Sequence, residues 1–203
     1  YNEFVYLDLS ARNDWSSTLA YTSHEKSGFF YPSVGFSLIF NKLMTLPRWV
    51  SLAKIRGAYS MVGNDIPMFI TNPSSHITAG GEFLASDAAP FKDMEPEMTH
   101  SFEAGIEARF LKNRIGLNAT FYKTNTRNQF FKLPTLSGDK YAYRYVNAGN
   151  IQNVGWEVSL DAVPLLTNHF KWKTEVNFST NRNKIISLHE ALKEFLYGPT
   201  SFS

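Results

Sequence analysis

Ser101-Phe102-Glu103-Ala104-Gly105-Ile106-Glu107-Ala108-Arg109-Phe110 alternates apolar and polar residues without a break. Successive side chains of a β-strand point to opposite faces. One face of this strand therefore carries Phe102, Ala104, Ile106, Ala108 and Phe110, and the other carries Ser101, Glu103, Gly105, Glu107 and Arg109. A length of about ten residues suits a tilted crossing of a bilayer better than a small soluble core.

Six more stretches follow the same rule. Residues 4–12 set Val5, Leu7, Leu9 and Ala11 against Tyr6, Asp8, Ser10 and Arg12. Residues 29–40 set Val34, Phe36, Leu38 and Phe40 against Ser33, Gly35 and Ser37, with Pro32 near the start, where a missing donor is tolerated. Residues 50–62 set Ala53, Ile55, Tyr59 and Met61 against Lys54, Arg56, Ala58 and Ser60. In 115–126, Ile115, Leu117, Ala119 and Phe121 oppose Asn118, Thr120 and Tyr122, and Lys123 falls on the apolar side at the strand's end, placed to snorkel toward an interface. Residues 153–162 set Val154, Trp156, Val158, Leu160 and Ala162 against Gly155, Glu157, Ser159 and Asp161. Residues 170–182 set Trp172, Val176 and Phe178 against Lys171, Lys173, Glu175 and Asn177.

The connections sort themselves by length. Long polar ones (13–28, 63–98, 127–147) follow the first, third and fifth strands; short ones (41–49, 111–114, 164–169) follow the second, fourth and sixth. An antiparallel meander so connected has every long loop at one end, as expected of an outer-membrane barrel with long extracellular loops and short periplasmic turns. Trp49, Phe110, Phe170 and Trp172 gather at the short-turn end, and Phe29, Phe30, Tyr31 and Phe102 at the other, as two aromatic girdles would. Residues 187–196 change period: Ser187 and Glu190 have capping-box spacing, and Leu188, Ala191, Leu192, Phe195 and Leu196 recur at helical intervals. A short amphipathic helix near the C-terminus is expected there, packed on its own barrel or docked on a partner.

Composition agrees with this reading. Aromatic residues make up 15% of the chain, which favours β structure, and charged residues only 19%, which limits the solvated surface. Mean hydropathy is −0.25, a soluble value, but only alternate residues of a membrane barrel face lipid. No apolar run reaches the length of a membrane helix. A net charge of +2 argues for no nucleic-acid partner, and with no cysteine there are no disulfides or thiol nucleophiles. The chain opens at Tyr1 inside a strand pattern, with no signal peptide, and so reads as an interior piece of a longer protein. Seven strands do not close a single-chain bacterial barrel, so an all-β arc of a larger transmembrane barrel is expected.

The apolar faces contribute four or five side chains per strand, more than the roughly few hundred Å² that soluble monomers expose. Lipid or a second sheet must cover them. The second option makes the chain a soluble carbohydrate-binding β-sandwich, with loop tyrosines and tryptophans as stacking platforms.

No phosphate loop, nucleophile elbow or zinc-protease motif is present: His189-Glu190 begins one, but Lys193 stands in the second histidine's place. The five histidines are scattered. No cofactor or metal is expected, and no enzymatic activity. Glu103 and Glu107 admit a glycosidase-pair reading, but beside Arg109 on one strand face they fit a hydrated wall of mutually neutralising charges, with Lys54 and Arg56 able to pair across the ladder. Candidate lumen-facing residues are Arg12, Lys54, Arg56, Glu103, Glu107, Arg109, Glu157, Asp161, Lys173 and Glu175. Tyr141, Tyr143 and Tyr145 are candidate extracellular contacts to substrate or a lid, or else a strand extension beyond the membrane. Gly80-Gly81 reads as loop punctuation or a close approach to ligand.

Ordered runs along the chain carry a family resemblance. They are Ala11-Arg12-Asn13-Asp14-Trp15-Ser16, Tyr31-Pro32-Ser33-Val34-Gly35, the stretch Lys54-Ile55-Arg56-Gly57-Ala58-Tyr59-Ser60-Met61-Val62-Gly63-Asn64, Glu95-Pro96-Glu97-Met98-Thr99-His100-Ser101-Phe102-Glu103, Asn147-Ala148-Gly149-Asn150-Ile151-Gln152-Asn153-Val154-Gly155-Trp156-Glu157, and Asn177-Phe178-Ser179-Thr180-Asn181-Arg182-Asn183-Lys184. In this order they resemble the C-terminal half of the SusC/RagA family of TonB-dependent outer-membrane transporters from Bacteroidetes. The resemblance implies a multi-pass barrel of about 22 strands in the outer membrane, filled by an N-terminal plug. It implies a SusD-like surface lipoprotein lid, the TonB complex and outer-membrane lipid as partners, and a glycan or a peptide as substrate. Residues 1–203 would then be a partial barrel domain, without the plug, the TonB box or the carboxypeptidase-like leader domain.

Overall fold

The computed structural model describes residues 3–20, 22–26, 28–66, 70–71, 73–84, 86–135, 138–147 and 149–187. The alternating stretches form one antiparallel sheet of seven strands. In chain order the strands are β1 (Val5–Asp14), β2 (Phe29–Ile39), β3 (Val50–Asn64), β4 (His76–Ile77), β5 (Phe83–Leu84), β6 (Glu97–Phe110), β7 (Ile115–Arg127), β8 (Phe130–Pro134), β9 (Tyr143–Asn147), β10 (Asn150–Leu166) and β11 (Lys171–Ser187). The sheet order β1-β2-β3-β6-β7-β10-β11 is a plain meander, and the sheet stays open: β1 and β11 are its two edges. β4–β5 and β8–β9 are separate two-stranded hairpins within the long connections.

The sheet is a single layer. Val5, Leu7, Leu9, Phe36, Ile106, Trp156, Val176 and Phe178 are each 45% or more exposed, and none of the buried apolar side chains among the described residues belongs to these seven strands. The second sheet that a sandwich requires is therefore not found among the described residues. From Phe102 to Phe110 the apolar face of β6 runs nine residues, close to the roughly 9–11 needed to cross a bilayer.

Several strands are longer than the alternation indicates. β6 begins at Glu97, β10 at Asn150, and β11 runs on to Ser187. The expected turn at 164–169 is shorter. Pro164 lies inside β10, where the register shifts between Ala162 and Leu165, a bulge that tolerates the missing N–H. Pro32 pairs with Ala11 on β1, and the β2–β3 ladder stops one residue away at Ser33. Phe40 leaves its strand for a single helical turn, Phe40–Leu43. The expected helix over 187–196 lies outside the described residues except for Ser187, which ends β11. The tight 111–114 connection sets Leu111, Lys112 and Asn113 at φ of 52°, 55° and 66°.

Every described apolar core residue of any size sits at the long-connection end. Leu19, Ile66, Ile70 and Met94 form one cluster, with Phe29, Phe91, Phe130 and Tyr145 packed on it. Phe29 thus belongs to this core and not to an aromatic girdle. At the other end Trp49 stacks on Phe110 with ring centroids 5.6 Å apart, and Phe170 and Trp172 are exposed as a girdle requires.

Candidate functional site

The strand register decides which charges share a face. Lys54 lies opposite Glu107, which lies opposite Asn118 on its other side. Arg56 is opposite Gly105, Gly105 opposite Thr120, and Thr120 opposite Glu157. Arg109 is opposite Gly116, Gly116 opposite Asp161, and Asp161 opposite Glu175. Ala58 pairs with Glu103 and Tyr122 lies beyond it. The rows place the sequence-derived lumen candidates of β3, β6 and β10, with Glu175 of β11, on one side of the sheet. Arg12 and Lys173 have the same parity on the two edge strands.

Within that face the ion pairs differ from those expected. Arg109 bridges Glu107 (Nε–Oε1 3.9 Å) and Asp161 (Nη1–Oδ2 3.6 Å), joining β6 to β10 across β7. Lys173 pairs with Glu175 at 3.5 Å, and Arg12 with Asp14. Lys54 and Arg56 face Glu107 and Gly105 across the ladder, but neither makes an ion pair within 4 Å to a described carboxylate. Arg56 instead reaches over β6 and donates from Nη2 to Thr120 Oγ1 (2.6 Å) and Asn118 Oδ1 (3.3 Å) of β7.

Glycine makes that reach possible. A Cβ on Gly105 would stand 2.9 Å from Arg56 Nε and 3.2 Å from the Ala119 carbonyl, and one on Gly116 would collide with the Asp161 carboxylate. Both glycines are the floor on which a charged side chain lies. Gly105→Ala is expected to lift the Arg56 guanidinium off Thr120 and to cost about 1–3 kcal/mol, read by urea unfolding of the intact barrel in lipid. The resulting shallow groove is lined by Arg56, Asn118, Thr120, Glu157, Ser159 and Asn177. The neutral members were not among the sequence candidates, although their inward parity was legible.

Above this wall the long connections are stitched together. Ser16 and Thr18 hydroxyls both donate to the Asp65 carboxylate, tying the first connection (15–28) to the second (65–96). Ser23 N–H donates to Lys92 O at 2.8 Å across the same pair. Asn147 holds the third connection (128–149) to the second: its Oδ1 accepts from Glu95 N at 2.9 Å and its Nδ2 donates to Glu95 O at 2.8 Å. Ala142 N–H donates to Asp87 O at 2.8 Å.

The tyrosines divide. Tyr143 and Tyr145 are strand residues of β9, paired with β8 and not continuing β10; Tyr141 precedes them. Tyr145 packs on the loop core and edge-on against Phe130. Tyr143 carries Lys132 Nζ 3.6 Å above its ring, so one stacking face is taken. Lys140 lies 5.3 Å from the Tyr141 ring. Gly81, at φ 80°, turns the β4–β5 hairpin, which is the punctuating role.

Comparison with known proteins adds the lineage. The family model described as "TonB dependent receptor-like, beta-barrel" matches residues 4–189. TonB-dependent receptor P39 of Formosa agariphila is 25% identical over 169 residues, covering 78% of this chain and 16% of that protein. TonB-dependent receptor SusC of Bacteroides thetaiotaomicron is 29% identical over 136 residues, covering 63% of this chain and 13% of that protein. The chain thus spans less than a fifth of the length of either. A solved structure of the RagAB peptide importer in its open-open state superposes with a TM-score of 0.76 at 24% identity, over 90% of this chain and 20% of that one. The exposed apolar face and the polar opposite face are those of an outer-membrane barrel, and the chain belongs to the TonB-dependent receptor-like β-barrel family, as a SusC/RagA-like portion of such a barrel.

Proposed function

We propose that this chain is a stretch of wall in an outer-membrane importer of glycans or peptides, energised by TonB and covered outside by a SusD-like lipoprotein. Residues 1–203 are then a partial barrel domain within a longer protein that supplies the plug. The observation that carries the reading is the sorting of charge. Each Asp and Glu of the seven strands has the parity of the polar face, while the opposite face presents exposed Leu, Ile, Phe and Trp. A face of mixed charge and neutral hydroxyl and amide groups keeps a pore wet and offers hydrogen bonds to a polar cargo without holding it tightly. The wall makes and breaks no covalent bonds in this reading.

Arg56 and Glu157 stand at two sides of the groove and are the residues proposed to meet cargo there. The experiment is uptake of fluorescent oligosaccharide and oligopeptide panels by cells carrying the intact protein. One panel is expected to enter only when TonB is functional, and Arg56→Ala with Glu157→Ala to lower its entry several-fold at equal surface abundance. Entry of neither panel, or entry indifferent to TonB, overturns the reading.

A further inference from the structure

The lipid side of the sheet is not uniformly apolar. The strand expected over 115–126 runs from Ile115 to Arg127, so Lys123 stands four residues inside its end, on the outward face. Its neighbours in register are Phe102 on β6 and Val154 on β10. Arg182 on β11 faces Val154 from the other side. Lys123 and Arg182 thus flank Val154, two strand spacings or about 10 Å apart. One row further toward the long connections, Lys184 lies opposite Gln152; two rows further, Arg127 lies opposite Met98 and Asn150. Rows are about 7 Å apart.

Three features give this cluster a direction. First, it begins where the apolar band stops. The rows below it read Ala104, Phe121, Trp156, Thr180 and then Ile106, Ala119, Val158, Phe178. Second, no carboxylate of the seven described strands shares the face, because every one has the opposite parity, so none of these strands neutralises the charge. None of these side chains makes an ion pair within 4 Å among the described residues, and all are exposed. Third, Phe121 and the half-exposed Trp156 are packed 5.0 Å apart directly beneath, an aromatic shelf at the depth of upper acyl chains.

We propose that Lys123, Arg127, Arg182 and Lys184 form a docking surface for the phosphate-bearing headgroup of an outer-leaflet lipid, whose acyl chains lie on Trp156 and Phe121. Charge-assisted contacts from several cations to phosphate oxygens are strong at a membrane interface, where anionic headgroups lie beside low-dielectric hydrocarbon. The proposal rests on the membrane placement of the barrel and is independent of what the importer carries.

The test uses the intact outer-membrane protein in detergent, titrated with bisphosphorylated lipid A, dephosphorylated lipid A or inorganic phosphate, with thermal unfolding as the readout. Bisphosphorylated lipid A is expected to raise Tm in the parent protein. Lys123→Gln with Arg182→Gln should remove at least half of that rise, and all four Gln substitutions nearly all of it. Arg48→Gln with Lys112→Gln, charge losses at the short-turn end, should leave the rise intact. Dephosphorylated lipid A and inorganic phosphate should give none. A full rise in the double variant, an equal loss in the short-turn variant, or the same rise with inorganic phosphate each overturns the proposal. The double variant serves if the quadruple one does not fold.

Discussion

Ile106→Arg lowers the stability of the intact barrel in lipid by about 2–4 kcal/mol, whereas Glu107→Gln, one residue along the same strand, shifts it by less than about 1 kcal/mol. Urea unfolding of the reconstituted protein measures both. Ile106 lies between Ile55 and Ala119 on the exposed apolar face. One row, that of Ala104, Phe121 and Trp156, separates it from the row of Lys123 and Arg182, which is thus about 14 Å away, so an arginine there has no nearby interface to reach. Its neighbours on that face offer no carboxylate. Glu107 points the other way, among Lys54, Asn118 and Arg109, in a polar row where Gln stays soluble in water and Arg109 keeps Asp161. Equal losses in the two variants would mean that the facing assignment is wrong.

Met94→Ala or Leu19→Ala releases the long connections without dissolving the barrel. Both side chains are fully buried, at 0% exposure, in a cluster of the first two connections on which Phe130 and Tyr145 of the third pack. Truncating such a residue costs about 2–5 kcal/mol, and here the loss falls on the loop core alone. When opening is fast, proteolysis follows the open population, so trypsin cleavage at Lys92 should accelerate at least about 30-fold. The urea midpoint of the strands should stay put. A cleavage rate like that of the parent would show that the hydrogen bonds of Asp65 and Asn147 hold the connections by themselves.

The seven strands were legible because each carries the period-2 signal across the band, where lipid on one side and water on the other demand opposite residue types. Their upper ends were not. Past His100, Asn125 and Gln152 apolar residues no longer keep to one face (Met98 has the outward parity, Ile151 the inward), the alternation vanishes, and only the backbone ladder continues. The register puts the charged residues on the common face that the alternation assigns them, but their partnerships were not legible. That Arg56 ignores Glu107 and lies over Gly105 depends on space that a missing side chain leaves, and strand periodicity does not encode it. Least visible was the loop core. Leu19, Ile66, Ile70 and Met94 are scattered through connections with no period at all, and only folding brings them together. The β8–β9 hairpin is intermediate: the tyrosine alternation marked a strand, but its partner lies across a turn in the same connection.

β1 and β11 each offer one flank of amide and carbonyl groups to nothing within the sheet. Hydrocarbon does not forgive such a rim; each orphaned group there costs several kcal/mol. Cohesion therefore belongs to the closed ring, and no arc of staves stands without its hoop. Damage to any one seam anywhere around the circumference should be felt by these residues as keenly as damage among themselves.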